Sequence, residues 1–214
     1  MMNKNIVLIP ARGGSKSISN KNLVKINSKP LIYYAITAAI KSKVDEVWVS
    51  TEDIKIKKAA IKFGAKVIDR PLRLAKDTGS SESVLLHFAR FIKFNKLIFL
   101  QATSPLVLKD DINQALKLLN THDSAITVTH TNQFIWFGKK PSYQINKRKR
   151  RQNFNKNEKI YIETGSLFAT KYKSLLKSKQ RISGKIGFIE VPRERSFDID
   201  NYDDLKLIKK ILKK

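Results

Sequence analysis

Short apolar runs alternate with amphipathic segments through the first two-thirds of this 214-residue chain, and that alternation limits the fold more than any other feature. Ile6–Ile9, Glu46–Ser50, Lys66–Ile68, Leu97–Gln101 and Ala125–Thr129 are short and rich in β-branched or aromatic residues, as strands are. Helical signals fill the gaps. Pro30 opens a helix over Leu31–Ile40, at a position where its missing N–H costs nothing. Asp53 caps a second helix that runs to Phe63 and stops at Gly64. Ser81 or Glu82 begins a third, whose Val84, Leu85, Phe88, Phe91 and Ile92 recur at helical spacing. Asp110 and Asp111 stand at the positive end of a fourth, which carries Ile112, Ala115, Leu116 and Leu119. This order predicts an α/β fold with a Rossmann-like, mostly parallel sheet and helices on both faces.

The alternation breaks near Phe134. Phe134–Phe137 is aromatic, and Lys139–Lys159 is polar and basic without a helical period. Strand character returns at Ile160–Ile162, Ser166–Thr170 and Ile186–Val191, and a helix over Tyr202–Leu212 turns Leu205, Ile208 and Ile211 inward. The sequence therefore reads as a single domain over 1–214, with a core of 1–133 and 184–214. A small lobe over 134–183 is inserted, and its apolar content predicts a dimerisation surface.

Composition excludes several classes of function. The chain has no cysteine, so disulfides, thiol nucleophiles and zinc–thiolate sites are absent. His87, His122 and His130 have no zinc-ligand spacing. No apolar run approaches the roughly 18 residues that a membrane span needs, and no signal-peptide core follows the N-terminal lysine. The expectation is a cytoplasmic protein without a membrane partner. A net charge of +25 suggests nucleic acid, but its distribution argues otherwise. Lys139–Lys159 holds nine bases and one acid, a local +8, and the other +17 is spread over the rest of the chain. A diffuse excess fits small anionic substrates better than a nucleic-acid stripe.

Two motifs carry chemistry. Ile9-Pro-Ala-Arg-Gly-Gly-Ser-Lys16 follows the first apolar run directly, and Lys21-Asn22 comes soon after. A glycine-containing turn at the carboxyl end of a strand offers backbone N–H groups to phosphate. Arg12, Lys16 and Lys21 add three cations, which suit a triphosphate carrying about four negative charges. Neither a Walker loop nor a G-x-G-x-x-G fingerprint is present. The second motif is Asp198-Ile199-Asp200. On an extended chain residues i and i+2 share a face, so both carboxylates point one way, an arrangement that Mg²⁺ uses beside phosphate.

Five blocks in order resemble the family of cytidylyltransferases that activate nine-carbon acidic sugars, the CMP-sialic acid synthetases. They are Ile9 to Asn22, Arg70-Pro71 through Asp77 to Ser81, Leu100-Gln-Ala-Thr-Ser-Pro105, Glu163-Thr-Gly-Ser166 and Ser196-Phe-Asp-Ile-Asp200. The resemblance implies a reaction in which CTP and the free sugar acid give the CMP-sugar and pyrophosphate, with Mg²⁺ as cofactor. It implies that Arg12, Lys16 and Lys21 hold the triphosphate, that Asn22 sits beside the reacting phosphorus, and that Ala11 and Gly13 belong to the same nucleotide turn. Arg70 and Ser81 would reach the base or ribose, and Gln101 the sugar. Asp198 and Asp200 would hold the metal, and Asp200 could help deprotonate the sugar hydroxyl. Arg150 or Arg151, with Gln152, resembles the basic–Gln pair that meets the sugar carboxylate across a homodimer. The remaining readings are activation of an eight-carbon 3-deoxy-octulosonic acid, and a polyanion-binding protein on the same fold. Two departures from the family pattern stand out: Ser17-Ile18-Ser19-Asn20 replaces Gly-(Ile/Leu)-Pro-Gly, and Thr164 replaces Asn before Gly165.

Overall fold

A computed structural model describes residues 4–148, 150 and 159–213. In chain order the elements are β1 (Asn5–Pro10), β2 (Lys25–Ile26), β3 (Lys29–Pro30), α1 (Leu31–Ile40), β4 (Glu46–Thr51), α2 (Ile54–Lys62), β5 (Lys66–Asp69), α3 (Ser81–Phe91), β6 (Lys96–Leu100) and α4 (Lys109–Leu118). They continue with β7 (Ser124–Thr131), β8 (Trp136–Phe137), β9 (Lys140–Pro141), β10 (Ile160–Lys171), α5 (Tyr172–Ser178), β11 (Ile186–Glu190) and α6 (Tyr202–Ile211). Seven strands form one sheet in the order β11-β7-β10-β6-β1-β4-β5. Every pairing is parallel except those of β10, which runs antiparallel to both β6 and β7. This is the Rossmann-like α/β sheet that the alternation predicts.

Strand residues alternate between the two faces. Val7 and Ile9 pack beneath α1, α2 and α4 through Ile32, Ile36, Ile56 and Ile112. Ile6 and Leu8 pack on the opposite face against Val84, Leu85 and Phe88 of α3 and Leu175 of α5. The central strand β1 is buried on both sides, which explains its uninterrupted apolar run. Asp53 caps α2 as expected, accepting from the Lys55 and Ile56 amides, and Gly64 follows the helix at φ +88°.

Two local readings change. Pro30 precedes α1 instead of opening it: it is extended (ψ 150°) and paired with Lys25 in a two-residue ribbon. The helix α3 does begin at Ser81, with Ser80 as its cap accepting from the Ser83 amide. The excursion from the sheet is narrower than 134–183, because residues 160–171 form a single strand inside the sheet, between β6 and β7. A bulge between Glu163 and Phe168 splits it into two apparent segments, and Gly165 (φ +73°) takes the left-handed conformation that the bend requires. What leaves the sheet before β10 includes the ribbon β8–β9, where Trp136 and Phe137 are exposed. No helix among the described residues is long and apolar enough to cross a membrane.

Candidate active site

A third apolar cluster lies under the carboxyl edge of the sheet and joins the two motifs. Ile18 from the basic turn and Ile199 from the Asp-Ile-Asp stretch are buried together with Leu31, Leu106, Leu205 and Ile208. Burying Ile199 anchors the acidic stretch to this floor, and Lys21 fastens the junction by donating to the Ile199 carbonyl (2.9 Å). Lys21 Nζ also lies 3.6 Å from the Asp200 carboxylate.

Above this floor opens a cleft of about 300 Å³. Arg12, Lys21, Asn22, Arg70, Ser81 and Gln101 all line it, so residues from five separate stretches of sequence converge there. Gln101 follows β6 directly, and its amide donates to the Ser166 carbonyl on the bulge of β10 (3.0 Å). Ser81 is the first residue of α3. The Asn22 side chain is buried; its Nδ2 donates to the Arg12 carbonyl (3.0 Å), and its Oδ1 has no partner.

Arg70 is 7% exposed. Its guanidinium donates to the Ser50 hydroxyl (3.2 Å) and carbonyl (2.6 Å). Burial pushes its pKa down to about 10, with Glu52 opposing that shift and Arg12 adding to it. Arg70 therefore remains a cation at neutral pH, held at the inner end of the cleft.

The basic turn is built differently from the simple phosphate cradle that its glycines suggest. The Ala11 amide is taken by the Ser50 carbonyl (3.0 Å), and the Gly13 amide by Glu52 Oε1 (2.7 Å). Gly13 is required by a protein contact, since a Cβ there would lie 2.6 Å from Asp53 Oδ2. Ala11, Gly13 and Lys16 do not line the cleft wall. Among the described residues, nothing accepts from the amides of Gly14, Ser15 or Lys16, and a Cβ on Gly14 would meet open space. Among the described residues the Arg12 and Ser17 amides also have no acceptor, so the turn presents several amides to an anion. Asn20 keeps the turn's conformation where the family pattern has glycine: it takes φ 50° and ψ 37°, which asparagine tolerates better than most residues. At Thr164 the hydroxyl joins a buried ring with Thr127 (2.7 Å) and Ser166 (2.8 Å), which fixes the bulge beside Gln101.

The acidic pair is asymmetric. Asp198 accepts from the Thr103 hydroxyl (3.0 Å), the Ser104 hydroxyl (3.3 Å) and the Ile199 amide (2.9 Å). Burial raises its pKa, and the nearby Asp200 charge raises it further. The Asp200 side chain is exposed. Neither lies on a strand. Two repelling carboxylates, one of them short of cationic partners, suit a divalent ion; no group of three or more His, Cys, Asp or Glu residues among the described residues could hold one. A site with only two protein carboxylates fits Mg²⁺, which takes one or two and completes its shell with phosphate and water.

Sequence reasoning missed Glu52, which pins the turn from 39 positions away, and gave no role to Asp77. Asp77 forms ion pairs with Arg12 and Lys16 at the mouth of the cleft, each 2.6 Å long. Arg150 is exposed, and Arg151 and Gln152 lie outside the described residues.

Residues 6–212 match the sequence model of a family described as cytidylyltransferase. The chain is 36% identical over 206 residues to N-acylneuraminate cytidylyltransferase B of Danio rerio, covering 90% of this chain and 48% of that protein. It is 30% identical over 224 residues to pseudaminic acid cytidylyltransferase of Campylobacter jejuni, covering 98% and 97% of the two chains. It thus spans about half the length of curated relatives such as the first, and nearly all of the second. Among solved structures, CMP:2-keto-3-deoxy-manno-octonic acid synthetase complexed with CTP has the same fold, with a TM-score of 0.75 over 99% of both chains at 19% identity.

Proposed function

The chain belongs to the cytidylyltransferase family, and from that premise we propose that it is an enzyme transferring CMP from CTP to the anomeric hydroxyl of a nonulosonic acid, with release of pyrophosphate. The observation that carries this reading is the convergence of Arg12, Lys21, Asn22, Arg70, Ser81 and Gln101 on one cleft, with Asp200 beside Lys21. Relatives named for nine-carbon acids align at 30–36% identity, which favours them over the eight-carbon alternative.

The sugar hydroxyl must attack the α-phosphorus in line while pyrophosphate leaves, so positioning and charge neutralisation do most of the work. Arg12, Lys16 and Lys21 hold the triphosphate, with the amides of Gly14 to Lys16 facing its oxygens. Asn22, fixed by its bond to the Arg12 carbonyl, orients the reacting phosphate. Arg70 and Ser81 meet the base or ribose, and Gln101 holds the sugar. Asp198 and Asp200 would hold Mg²⁺, which when bound supplies neutralisation of phosphate charge. Asp200 would accept the proton of the sugar hydroxyl. In a homodimer, Arg150 or Arg151, with Gln152, would meet the sugar carboxylate.

Incubating the protein with CTP, Mg²⁺ and each of a panel of nonulosonic acids, and measuring pyrophosphate, tests the reading. Release that depends on one of the acids supports it; CTP left intact with every acid overturns it. Trp136, Phe137 and Ile145 outside the sheet, with Ile162 on β10 and Phe188 on the edge strand β11, leave an apolar surface of the kind that marks association. A two-fold dimer by light scattering at micromolar concentration is the expected state, and a fully active monomer would remove the dimer from the proposal.

A further inference from the structure

Asp77 lies within a block that carries the family resemblance, yet the reaction above gives it no task. It sits on a tight turn closed by a bond from the Gly79 amide to the Lys76 carbonyl (2.9 Å). A Cβ on Gly79 would lie 2.6 Å from the Leu74 carbonyl oxygen, so the turn is folded hard against the segment before it. From this turn the carboxylate reaches across the cleft mouth. Arg12 Nη1 donates to one oxygen and Lys16 Nζ meets the other, both at 2.6 Å. Arg12 also reaches the Ala75 carbonyl at 3.4 Å.

A carboxylate bridging two cations occupies the place of a phosphate group between them. A triphosphate with about four charges cannot take both cations while a like charge stays within a few ångströms. The contacts are also easy to exchange: the Asp77 side chain is 45% exposed and that of Lys16 82%. Such pairs hold weakly in water, and a multivalent anion competes well against them.

We propose that Asp77 is an internal competitor for the phosphate-binding cations, holding Arg12 and Lys16 in the absence of nucleotide, yielding them to CTP and reclaiming them as pyrophosphate departs. The inference rests on the proposed cytidylyl transfer and adds to it a device for product release. Asp77 is a positioning residue, because it acts through Arg12 and Lys16 and not on the substrate itself. Its signature is one of sign: removing it tightens polyphosphate binding, whereas removing a group that touches nucleotide loosens it.

Titration calorimetry on the full chain decides the matter, using inorganic pyrophosphate in metal-free buffer and CTP or CMP with Mg²⁺. Asp77→Asn and Asp77→Ala should bind pyrophosphate and CTP about 3- to 10-fold more tightly than the unaltered protein, the range that weak exposed pairs allow. CMP, with one phosphate, should change by less than about 2-fold, and Asp77→Glu should stay near the unaltered protein. Weaker CTP or pyrophosphate binding by Asp77→Asn would make Asp77 a ligand of the nucleotide or its metal and overturn the proposal. Unchanged affinities would overturn it too. An unaltered protein that binds no CTP and transfers no CMP defeats the functional reading instead, and the pyrophosphate titration still decides the role of Asp77.

Discussion

Glu46 and Asp198 lie at opposite edges of the same sheet, both largely withdrawn from water, and burial alone should raise the pKa of each. Only Asp198 follows that rule. Glu46, at the start of β4, is pushed down to about 2 by bonds from Lys4 and Lys66, with help from the Trp48 indole N–H. The difference is the charge of the partners. At the amino edge cations are committed to a carboxylate that ties together β1, β4 and β5. At the carboxyl edge the buried carboxylate has two hydroxyls and an amide, while the cations rest on the exposed Asp77 or, like Lys21, on a backbone carbonyl. A fastening satisfied by fixed charge belongs to stability. Cations held by exchangeable contacts, beside a carboxylate short of positive charge, are what the proposed binding role requires.

The largest test of that contrast is at the acidic pair. Asp200→Asn should fold normally, because its exposed side chain contributes no core contact, but turnover should fall about 10²–10³-fold, the usual loss when one charge stabiliser is removed from a transition state. Pyrophosphate release under saturating CTP measures it. Turnover near that of the unaltered protein would mean that the carboxyl edge is no more functional than the amino edge.

Arg12→Ala comes next. It removes a charged donor at the phosphate turn and should weaken CTP about 10- to 100-fold, as charge-assisted hydrogen bonds of about 1.5–3 kcal/mol imply. Binding of the sugar acid alone should hardly move. Separate titrations with each ligand check the split; equal losses for both would point to a collapsed turn and not to a lost phosphate contact.

How much of this was legible in the sequence follows the same division. The strands β1, β4 and β6 lie within one or two residues of where their apolar runs place them, because strands buried on both faces leave a local signal, and the half-buried edge strand β5 was read from Val67 and Ile68 alone. The strand β10 did not read as one element, since its bulge breaks the two-residue alternation at Gly165 and its antiparallel place between β6 and β7 depends on long-range pairing. The cationic turn was legible because Arg12, Lys16 and Lys21 are close in sequence. Its dependence on Glu52 and Asp53 was not, because those contacts come from the far end of β4. The Asp-Ile-Asp motif announced two neighbouring carboxylates through its i, i+2 spacing. Spacing cannot tell that one carboxylate is buried under Thr103 and Ser104 while the other stays in solvent.

The smallest effect is expected at the amino edge, and it concerns stability alone. The folded-state pKa of Glu46 is about 2 against an ordinary value of 4.5, so the unfolded chain binds its proton more readily than the folded one. Its stabilisation is therefore fully present above about pH 5 and is lost as the pH falls from there toward 2. Lys4 and Lys66 are more than half exposed, which screens the pairs and limits the gain to about 1–2 kcal/mol. Glu46→Gln should accordingly melt a few degrees lower near neutral pH, at roughly 2–4 °C per kcal/mol for a chain of this size. The gap between the two proteins should close as both are acidified, because the unaltered side chain becomes neutral as well. Turnover with CTP at a temperature where both are folded should be the same. A gap that persists unchanged at the acid limit would show that shape, not charge, makes Glu46 a fastening, and a loss of turnover would show that the two edges are coupled.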